Sequence, residues 1–308
     1  MADPIALSAL MLDAAIGWPA RLYAMVGHPV GLFARLINAG ERHWNNPRHS
    51  EGQRRRLGIL LMVLLIGAVG GIAWLAQRTV HPLGWPFVAL LAFPALAQRS
   101  LFDHVRPVAR ALEAGDLPTA RHAVSMIVGR DTQALDESGI ARAAIESLAE
   151  SFCDGIAAPL FWLLVGGLPG VWIYKVVNTA DSLIGHQEER WRAFGWAAAR
   201  TDDLMNLIPA RIGGVLICVA GGGGWRILRR DARKHASPNA GWTESAMAGC
   251  LKLRLAGPIA YDGVLQNKPW IGDGRMVATA ADIRRALAIY IRACLLLWII
   301  AGGWAWAL

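Results

Sequence analysis

The stretch LGILLMVLLIGAVGGIAWLA at residues 57–76 holds twenty consecutive residues without a charged side chain. A helix of that length is about 30 Å long, which matches the hydrocarbon thickness of a bilayer. Three arginines, Arg54, Arg55 and Arg56, directly precede the stretch. Because basic residues favour the cytoplasmic side, we expect a transmembrane helix that begins in the cytoplasm.

The rest of the chain alternates between apolar and polar stretches in the same way. Only 18% of the 308 residues are charged, whereas a soluble domain carries about 25%. Further spans are predicted at residues 83–97 and 286–308, and patterns typical of strands are sparse. The sequence therefore predicts an all-α, polytopic integral membrane protein that forms a single membrane-embedded domain over residues 1–308.

Two more apolar stretches, 155–174 and 208–225, either cross the membrane or re-enter it. The first carries a Gly-Gly-Leu-Pro-Gly run at 166–170, which is a strong helix breaker. We favour a re-entrant hairpin there, because it keeps the arginine-rich stretches on its two sides at one face of the membrane, where both can contribute to one site. We expect long cytoplasmic helical loops at 98–154, 175–207 and 226–285.

Several function classes are disfavoured by the sequence. The net charge of +8 comes from basic residues beside apolar segments, without a nucleic-acid motif, so nucleic acid is not an expected partner. The four cysteines are far apart, which argues against a disulfide framework or a zinc site. Neither a P-loop nor a Gly-x-Ser-x-Gly elbow is present.

The first polar cluster lies at residues 130–155. Glu146, Glu150 and Asp154 are spaced by four, which places three carboxylates on one face of a predicted helix. A solvated helix face is one interpretation. The other is a Mg²⁺ site, since Mg²⁺ is usually held by one or two carboxylates and by phosphate oxygens. Arg130 and Asp131 begin the cluster and offer a phosphate-binding fork beside a carboxylate.

Three further clusters follow. Residues 174–186 contain Lys175, Asn178, Thr179, Asp181 and Ser182, whose short spacing favours helix capping. Residues 199–211 contain Asp202, Asp203, Asn206 and Arg211, a plausible metal or phosphate site. Residues 235–249 contain the turn string SPNAGW, after which Thr243 or Ser245 could cap a helix. A lone histidine near the N-terminus, His28, is more often structural than catalytic.

In order along the chain, these strings resemble the adenosylcobinamide-phosphate synthase family of the late cobalamin pathway. The matching strings are Asp13 with Gly17 and Pro19, HPV at 28–30, GRDT at 129–132, IESLAE at 145–150, DG at 154–155, APLFW at 158–162, YK and NT.DS at 174–182, FG at 194–195, DD..N.IPAR at 202–211 and SPNAGW…AMAG at 237–249. Each string alone is weak, but ten in order are specific. The chain departs from the family pattern at Trp18 and at Ser151, where Asp and Asn are usual, and near 257–263.

The resemblance implies a ligase of the inner membrane whose active site faces the cytoplasm. It would join adenosylcobyric acid to aminopropanol phosphate, or to aminopropanol, using ATP and Mg²⁺, and could work beside other late cobalamin-pathway enzymes. The sets of residues implied are catalytic (Asp131, Glu146, Glu150, Asp181, Asp202, Asp203), metal-binding (Glu146, Glu150, Asp154), and phosphate- or substrate-binding (Arg130, Lys175, Asn178, Thr179, Ser182, Asn206, Arg211, Ser237, Asn239, His28). The alternatives are a non-catalytic regulatory relative in the membrane and a corrinoid transporter.

Overall fold

The structure is a computed structural model that describes residues 3–129, 131–261, 264–266 and 268–307, with only the backbone described at residue 20, at 259–261 and at 264–266. Its helices are α1 (Ile5–Ile16), α2 (Ala20–Val26), α3 (Pro29–Trp44), α4 (Glu51–Val80), α5 (Trp85–Ala92), α6 (Gln98–Glu113), α7 (Leu117–Ser125), α8 (Glu137–Phe152), α9 (Ala158–Ile184), α10 (Glu189–Arg192), α11 (Trp196–Met205), α12 (Leu207–Gly221), α13 (Trp225–Asp231), α14 (Ala240–Leu251) and α15 (Ala280–Ala307). Short 3-10 turns lie at His81–Leu83, Phe93–Ala95 and Ala232–Lys234, and a π turn lies at Cys153–Ala157.

The described strands are very short and lie close together in the chain. They form two antiparallel pairs, β1 (Leu255–Ala256) with β4 (Trp270–Ile271), and β2 (Ile259–Tyr261) with β3 (Val264–Gln266). They interrupt the loop predicted at 226–285 without changing the fold class. The predicted all-α fold is confirmed.

The uncharged stretch at 57–76 lies inside α4. This helix begins after Ser50, whose side chain accepts a hydrogen bond from the backbone N–H of Gln53 at 3.3 Å. Large apolar side chains such as Val63 and Ile72 are exposed along it, as expected of a surface that faces lipid. In the described residues, four helical segments are long and apolar enough to cross a membrane, or six if each of two bent pairs counts as one span; the four are Glu51–Leu83, Trp85–Glu113, Glu137–Ile184 and Ala280–Ala307. The polytopic prediction is confirmed.

The chain divides into two compact units. Unit 1 comprises residues 1–97, 158–206 and 301–308, and unit 2 comprises residues 98–157 and 207–300. In unit 1, α3, α4, α9 and α11 enclose an apolar core that contains Ile37, Leu65, Val177 and Phe194. In unit 2, α8 is buried over most of its length, and α12 packs closely on α14. The single domain expected from the sequence stays a prediction.

The packing of α12 on α14 depends on a glycine. A Cβ atom at Gly214 would lie 2.9 Å from the carbonyl oxygen of Trp242, so any larger residue would force the two helices apart. Close contact between these helices fixes the position of α14, which carries Glu244 of the site described below.

The breaker at 166–170 folds α9 back on itself. Gly167 has φ +61° and ψ −150°, a conformation that favours glycine. A Cβ atom on Gly170 would lie 2.3 Å from the carbonyl oxygen of Trp162. In a continuous helix, residues eight apart are separated by about 12 Å along the axis, so the chain must reverse between them.

A polar side chain on α4 stabilises this reversal. The side-chain oxygen of Gln77 accepts a hydrogen bond from the backbone N–H of Leu168 at 2.7 Å. A break in an apolar helix frees backbone groups that need such partners. The backbone therefore forms the helical hairpin that the re-entrant interpretation requires, and its depth in a bilayer stays a prediction.

The capping role predicted for the polar residues at 178–182 is wrong. These residues lie inside α9, which continues to Ile184, so residues 175–184 are helix rather than loop. The hydroxyl of Thr179 donates to the carbonyl of Lys175 at 2.6 Å, and that of Ser182 donates to the carbonyl of Asn178 at 2.9 Å. Burial of Val176, Val177 and Ala180 in the unit 1 core outweighs the local preference of the polar residues for a cap.

The capping role predicted for Thr243 and Ser245 is also wrong. Helix α14 begins at Ala240, so both residues are inside it and fully buried. The hydroxyl oxygen of Ser237 instead accepts hydrogen bonds from the backbone N–H groups of Asn239 and Ala240, at 3.2 and 3.3 Å. Helix α14 therefore begins earlier in the chain than a cap at Thr243 or Ser245 would have placed it.

Candidate active site

A cavity of about 180 Å³ in unit 2 collects the first and fourth polar clusters of the sequence. Its polar lining comes from Glu146 and Glu150 on α8, Glu244 on α14, His235 in the turn before α14, and Lys268 after β3. We call this space the acidic cavity. It brings together three carboxylates, one imidazole and one ammonium group.

Helix α8 presents its two glutamates from consecutive turns of the same face. The opposite face is fully buried, with Ile140, Ala144 and Leu148 at 0% exposure, so α8 cannot rotate without exposing apolar surface. Glu150 is exposed and Glu146 is half-buried. The amphipathic pattern of the helix therefore aims both carboxylates at the cavity.

Two hydrogen bonds anchor the wall of the cavity. One carboxylate oxygen of Glu146 accepts from the backbone N–H of Ala256 at 2.8 Å. The hydroxyl of Ser147 donates to the carbonyl of Ile127 at 2.7 Å. Ala256 has φ +57°, which costs a non-glycine residue about 1–2 kcal/mol. Strained backbone of this kind tends to occur at functional sites.

The imidazole of His235 is neutral at physiological pH. Burial, and secondly the positive charge of Lys268, lower the pKa of His235 below its ordinary value of 6.5. Its Nδ1 accepts a hydrogen bond from the backbone N–H of Ser237 at 3.0 Å, so the neutral ring carries its proton on Nε2. Nε2 lies 3.6 Å from the Oε1 atom of Glu244, whose side chain is buried. The ring therefore directs an N–H group towards a buried carboxylate.

Arg211, predicted to bind phosphate, lies beside Asn239. Its guanidinium donates to the side-chain oxygen of Asn239 at 2.8 Å and to the carbonyl of Leu207 at 2.7 Å. The same group stacks over the ring of Trp242 at 4.7 Å. The structure thus joins three residues of the third and fourth clusters within unit 2, and it gives Arg211 partners from the protein itself.

The second and third clusters meet in unit 1. The carboxylate of Asp202 accepts hydrogen bonds from the side-chain amides of Asn178 at 3.3 Å and Asn206 at 2.9 Å. The side-chain oxygen of Asn206 in turn accepts from the hydroxyl of Tyr174 at 3.0 Å. Asp202 and Asn206 are both buried. We call these four residues the amide–carboxylate cluster, which links α9 to α11.

The remaining predicted residues are spread over both units. In unit 1, Asp203 pairs with Arg200 at 2.9 Å, and Lys175, Thr179, Asp181 and Ser182 lie on α9. In unit 2, Asp131 is exposed, and its carboxylate accepts from the backbone N–H of Gln133 at 2.8 Å. Arg130 lies outside the described residues. A single site built from both units stays a prediction.

His28 has the structural role that a lone histidine usually has, and the substrate-binding role implied by the resemblance stays a prediction. It is the N-cap of α3, and its Nδ1 accepts from the backbone N–H of Val30 at 3.2 Å. Its ring also packs edge-on against Trp18, with 4.9 Å between the ring centres. The departure at Trp18 therefore places an aromatic ring against the capping histidine.

The metal-binding role predicted for Glu146, Glu150 and Asp154 stays a prediction. Asp154 lies in the π turn that follows α8, and among the described residues it does not line the acidic cavity with Glu146 and Glu150. A π turn adds a residue to the helical repeat, so spacing by four no longer keeps side chains on one face. In the described part of the chain, no three His, Cys, Asp or Glu residues are grouped to hold a metal ion.

The sequence analysis missed three residues of the acidic cavity. His235 and Glu244 stand in the same string as SPNAGW, so a search for titratable groups around that turn could have found them. No pattern in the sequence points to Lys268, which reaches the cavity only through the fold around the short strands.

The comparison with known proteins agrees with the resemblance read from the motifs. A family model described as "CobD/Cbib protein" matches residues 6–290. A protein of Rhodobacter capsulatus named "Cobalamin biosynthesis protein CobD" is 51% identical to this chain over 292 residues, which cover 92% of this chain and 91% of the relative. The one from a Sinorhizobium species is 45% identical over 299 residues, with 93% of each chain covered.

No solved structure matches the chain. The family model matches nearly the full length of the chain, and the relatives are 45–51% identical to it. The chain therefore belongs to the CobD/Cbib family of cobalamin-biosynthesis proteins, the family of adenosylcobinamide-phosphate synthases.

Proposed function

We propose that the protein is an ATP-dependent ligase that forms an amide between the free carboxylate of adenosylcobyric acid and the amine of aminopropanol phosphate, or of free aminopropanol. The product is adenosylcobinamide phosphate, or adenosylcobinamide. The observation that carries this proposal is the acidic cavity, which combines Glu146, Glu150 and Glu244 with a neutral His235 and with Lys268. The assignment to the family supports the same reaction.

The reaction proceeds in two steps that the cavity chemistry suits. The corrinoid carboxylate attacks the terminal phosphorus of ATP, the bond to the bridging oxygen breaks, ADP leaves, and the carboxylate becomes an acyl phosphate. The amine nitrogen then attacks the acyl carbon, the bond between carbon and the phosphate oxygen breaks, and inorganic phosphate leaves. The attacking nitrogen loses a proton, which a carboxylate accepts. Phosphoryl transfer itself depends mainly on positioning and on neutralisation of charge.

Mg²⁺ bound to ATP would neutralise phosphate oxygens. It commonly uses only one or two protein carboxylates and keeps several waters. The resemblance also implies Lys175, Asp181, Asp202 and Asp203 for this reaction, and their part in it stays a prediction. Arg211, in unit 2, is a cation that we predict to bind phosphate.

The protein is further proposed to lie in the inner membrane with its polar helices in the cytoplasm. Several helices are long and apolar enough for a membrane. The basic run at Arg54–Arg56, at the start of α4, supports a cytoplasmic N-terminal end for that helix. In this location the enzyme can exchange its large corrinoid substrate with other enzymes of the pathway.

One assay tests the reaction. Purified protein in detergent receives adenosylcobyric acid, aminopropanol phosphate, ATP and Mg²⁺, and the amide product is measured by chromatography with mass detection. We expect product that depends on all four components. Absence of product with either amine and any nucleoside triphosphate would leave the regulatory or the transport function as the better hypothesis.

A further inference from the structure

We infer that the acidic cavity is the binding site of the amino alcohol phosphate, which it holds as a zwitterion, and that it takes neither a metal ion nor the corrinoid. This inference rests on the proposed function. The glutamates receive the ammonium end, Lys268 receives the phosphate end, and Glu244 accepts the proton that the nitrogen loses. The resemblance implied both a catalytic and a metal-binding role for the two glutamates of α8.

The size of the cavity selects the smaller substrate. Its volume is about 180 Å³, whereas sites for drug-sized ligands measure about 300–1,000 Å³. A corrinoid is larger than a drug-sized molecule and cannot enter such a space. A three-carbon amine with one phosphate group is of a size that the cavity can enclose.

The mixture of charges selects a zwitterion. Three carboxylates would suit any cation, but Lys268 lines the same space and raises the cost of placing a divalent cation there. An amino alcohol phosphate carries a positive end and a negative end, and so it can pair with both kinds of side chain. The carboxylate of Glu146, already oriented by the N–H of Ala256, and the exposed Glu150 can receive an ammonium group from one helix face.

His235 is not arranged as a metal ligand. Its Nδ1 accepts from the backbone of Ser237, and the neutral ring carries its proton on Nε2, so neither nitrogen offers a lone pair. The Nε2–H group is directed at Glu244. This makes His235 a positioning residue that holds the Glu244 carboxylate by donating towards it.

Glu244 is the most buried of the three carboxylates. Its residue is only 4% exposed, and a low-dielectric surrounding favours neutral over charged forms. Transfer of a proton from an ammonium group to a carboxylate turns two charges into two neutral groups. That transfer is therefore easier beside Glu244 than in water, and it yields the neutral amine that can attack the acyl carbon.

The decisive experiment measures binding of the amine by calorimetry, without ATP or corrinoid. Wild-type protein in detergent is titrated with aminopropanol phosphate, free aminopropanol, inorganic phosphate and Mg²⁺ separately. The variants are Glu150→Gln, which changes an exposed side chain, and Lys268→Met. Glu137→Gln is the matched control, because Glu137 is exposed on the same helix α8 and does not line the cavity in the described structure.

We expect Glu150→Gln to weaken both amines at least tenfold. Lys268→Met should weaken aminopropanol phosphate by a similar factor and leave free aminopropanol unchanged. Glu137→Gln should bind as the wild type does. The inference is overturned if the amines bind equally well to all variants, or if Glu150→Gln abolishes Mg²⁺ binding while leaving the amines unaffected.

The two hypotheses can fail separately. A wild-type protein that makes amide product, but whose cavity variants keep normal amine affinity, refutes the cavity assignment alone. A wild-type protein that neither binds an amine nor forms product refutes both.

Discussion

The acidic cavity of unit 2 and the amide–carboxylate cluster of unit 1 use similar residues in opposite ways. In the cluster, Asp202 accepts hydrogen bonds from the side chains of Asn178 and Asn206, and Asp202 and Asn206 are both buried. In the cavity, three carboxylates face a space of about 180 Å³ together with a lysine. The carboxylate of the cluster therefore links two helices, whereas those of the cavity also line a space that a ligand can enter.

The largest expected effect is a loss of catalytic rate when the proton acceptor of the cavity is changed. Glu244→Gln should lower kcat about 10²–10⁴-fold, the usual contribution of a general base. The amide keeps the size of the side chain and can still accept from His235, so the thermal unfolding temperature should change little. Steady-state amide formation and thermal unfolding are measured on the same sample. A rate within threefold of wild type would remove Glu244 from the chemistry.

The second prediction concerns the cluster. Asp202→Ala removes the acceptor of the buried Asn206 amide and of the half-buried Asn178 amide, and an unsatisfied buried donor costs about 1–3 kcal/mol. We expect a clear fall in the unfolding temperature, measured in detergent. Asp203→Asn is the control, since its partner Arg200 is more than half exposed and such pairs contribute about 0–1 kcal/mol. If Asp202→Ala instead keeps its stability and loses turnover, the cluster belongs to the active site and the contrast with the cavity is wrong.

The smallest expected effect is on the pH dependence of stability. His235 has a lowered pKa in the folded protein, so the unfolded state binds its proton first as the pH falls. The stability that neutral His235 contributes is complete above pH 6.5 and is lost as the pH falls towards the folded pKa. Unfolding temperatures of wild type and His235→Gln are compared between pH 7.5 and 5, a window of about one to two pH units on each side of the ordinary value. The wild type should lose more stability on acidification; equal slopes would show that His235 is not buried as a neutral ring.

The motifs predicted which residues lie at the candidate site better than they predicted what each residue does there. Glu146 and Glu150 were found because spacing by four marks one helix face, and the structure places both in the acidic cavity. Asp154 was added by the same rule, and the structure places it in the π turn after α8, where the helical repeat changes. The polar residues at 178–182 were interpreted as caps, because the capping preference of a residue type does not include the stability gained when its apolar neighbours are buried.

The sequence by itself determined the length and apolar character of the helices, the break at Gly167 and the order of the family motifs. These are local properties, set by side-chain hydrophobicity and by the backbone freedom of a few glycines. Only the tertiary structure decided that Glu146 lies against Ala256, that His235 and Glu244 complete the cavity, and that Gln77 stabilises the hairpin. Such contacts join residues about ninety or more positions apart, as between Gln77 and Leu168, and they depend on how helices pack in three dimensions.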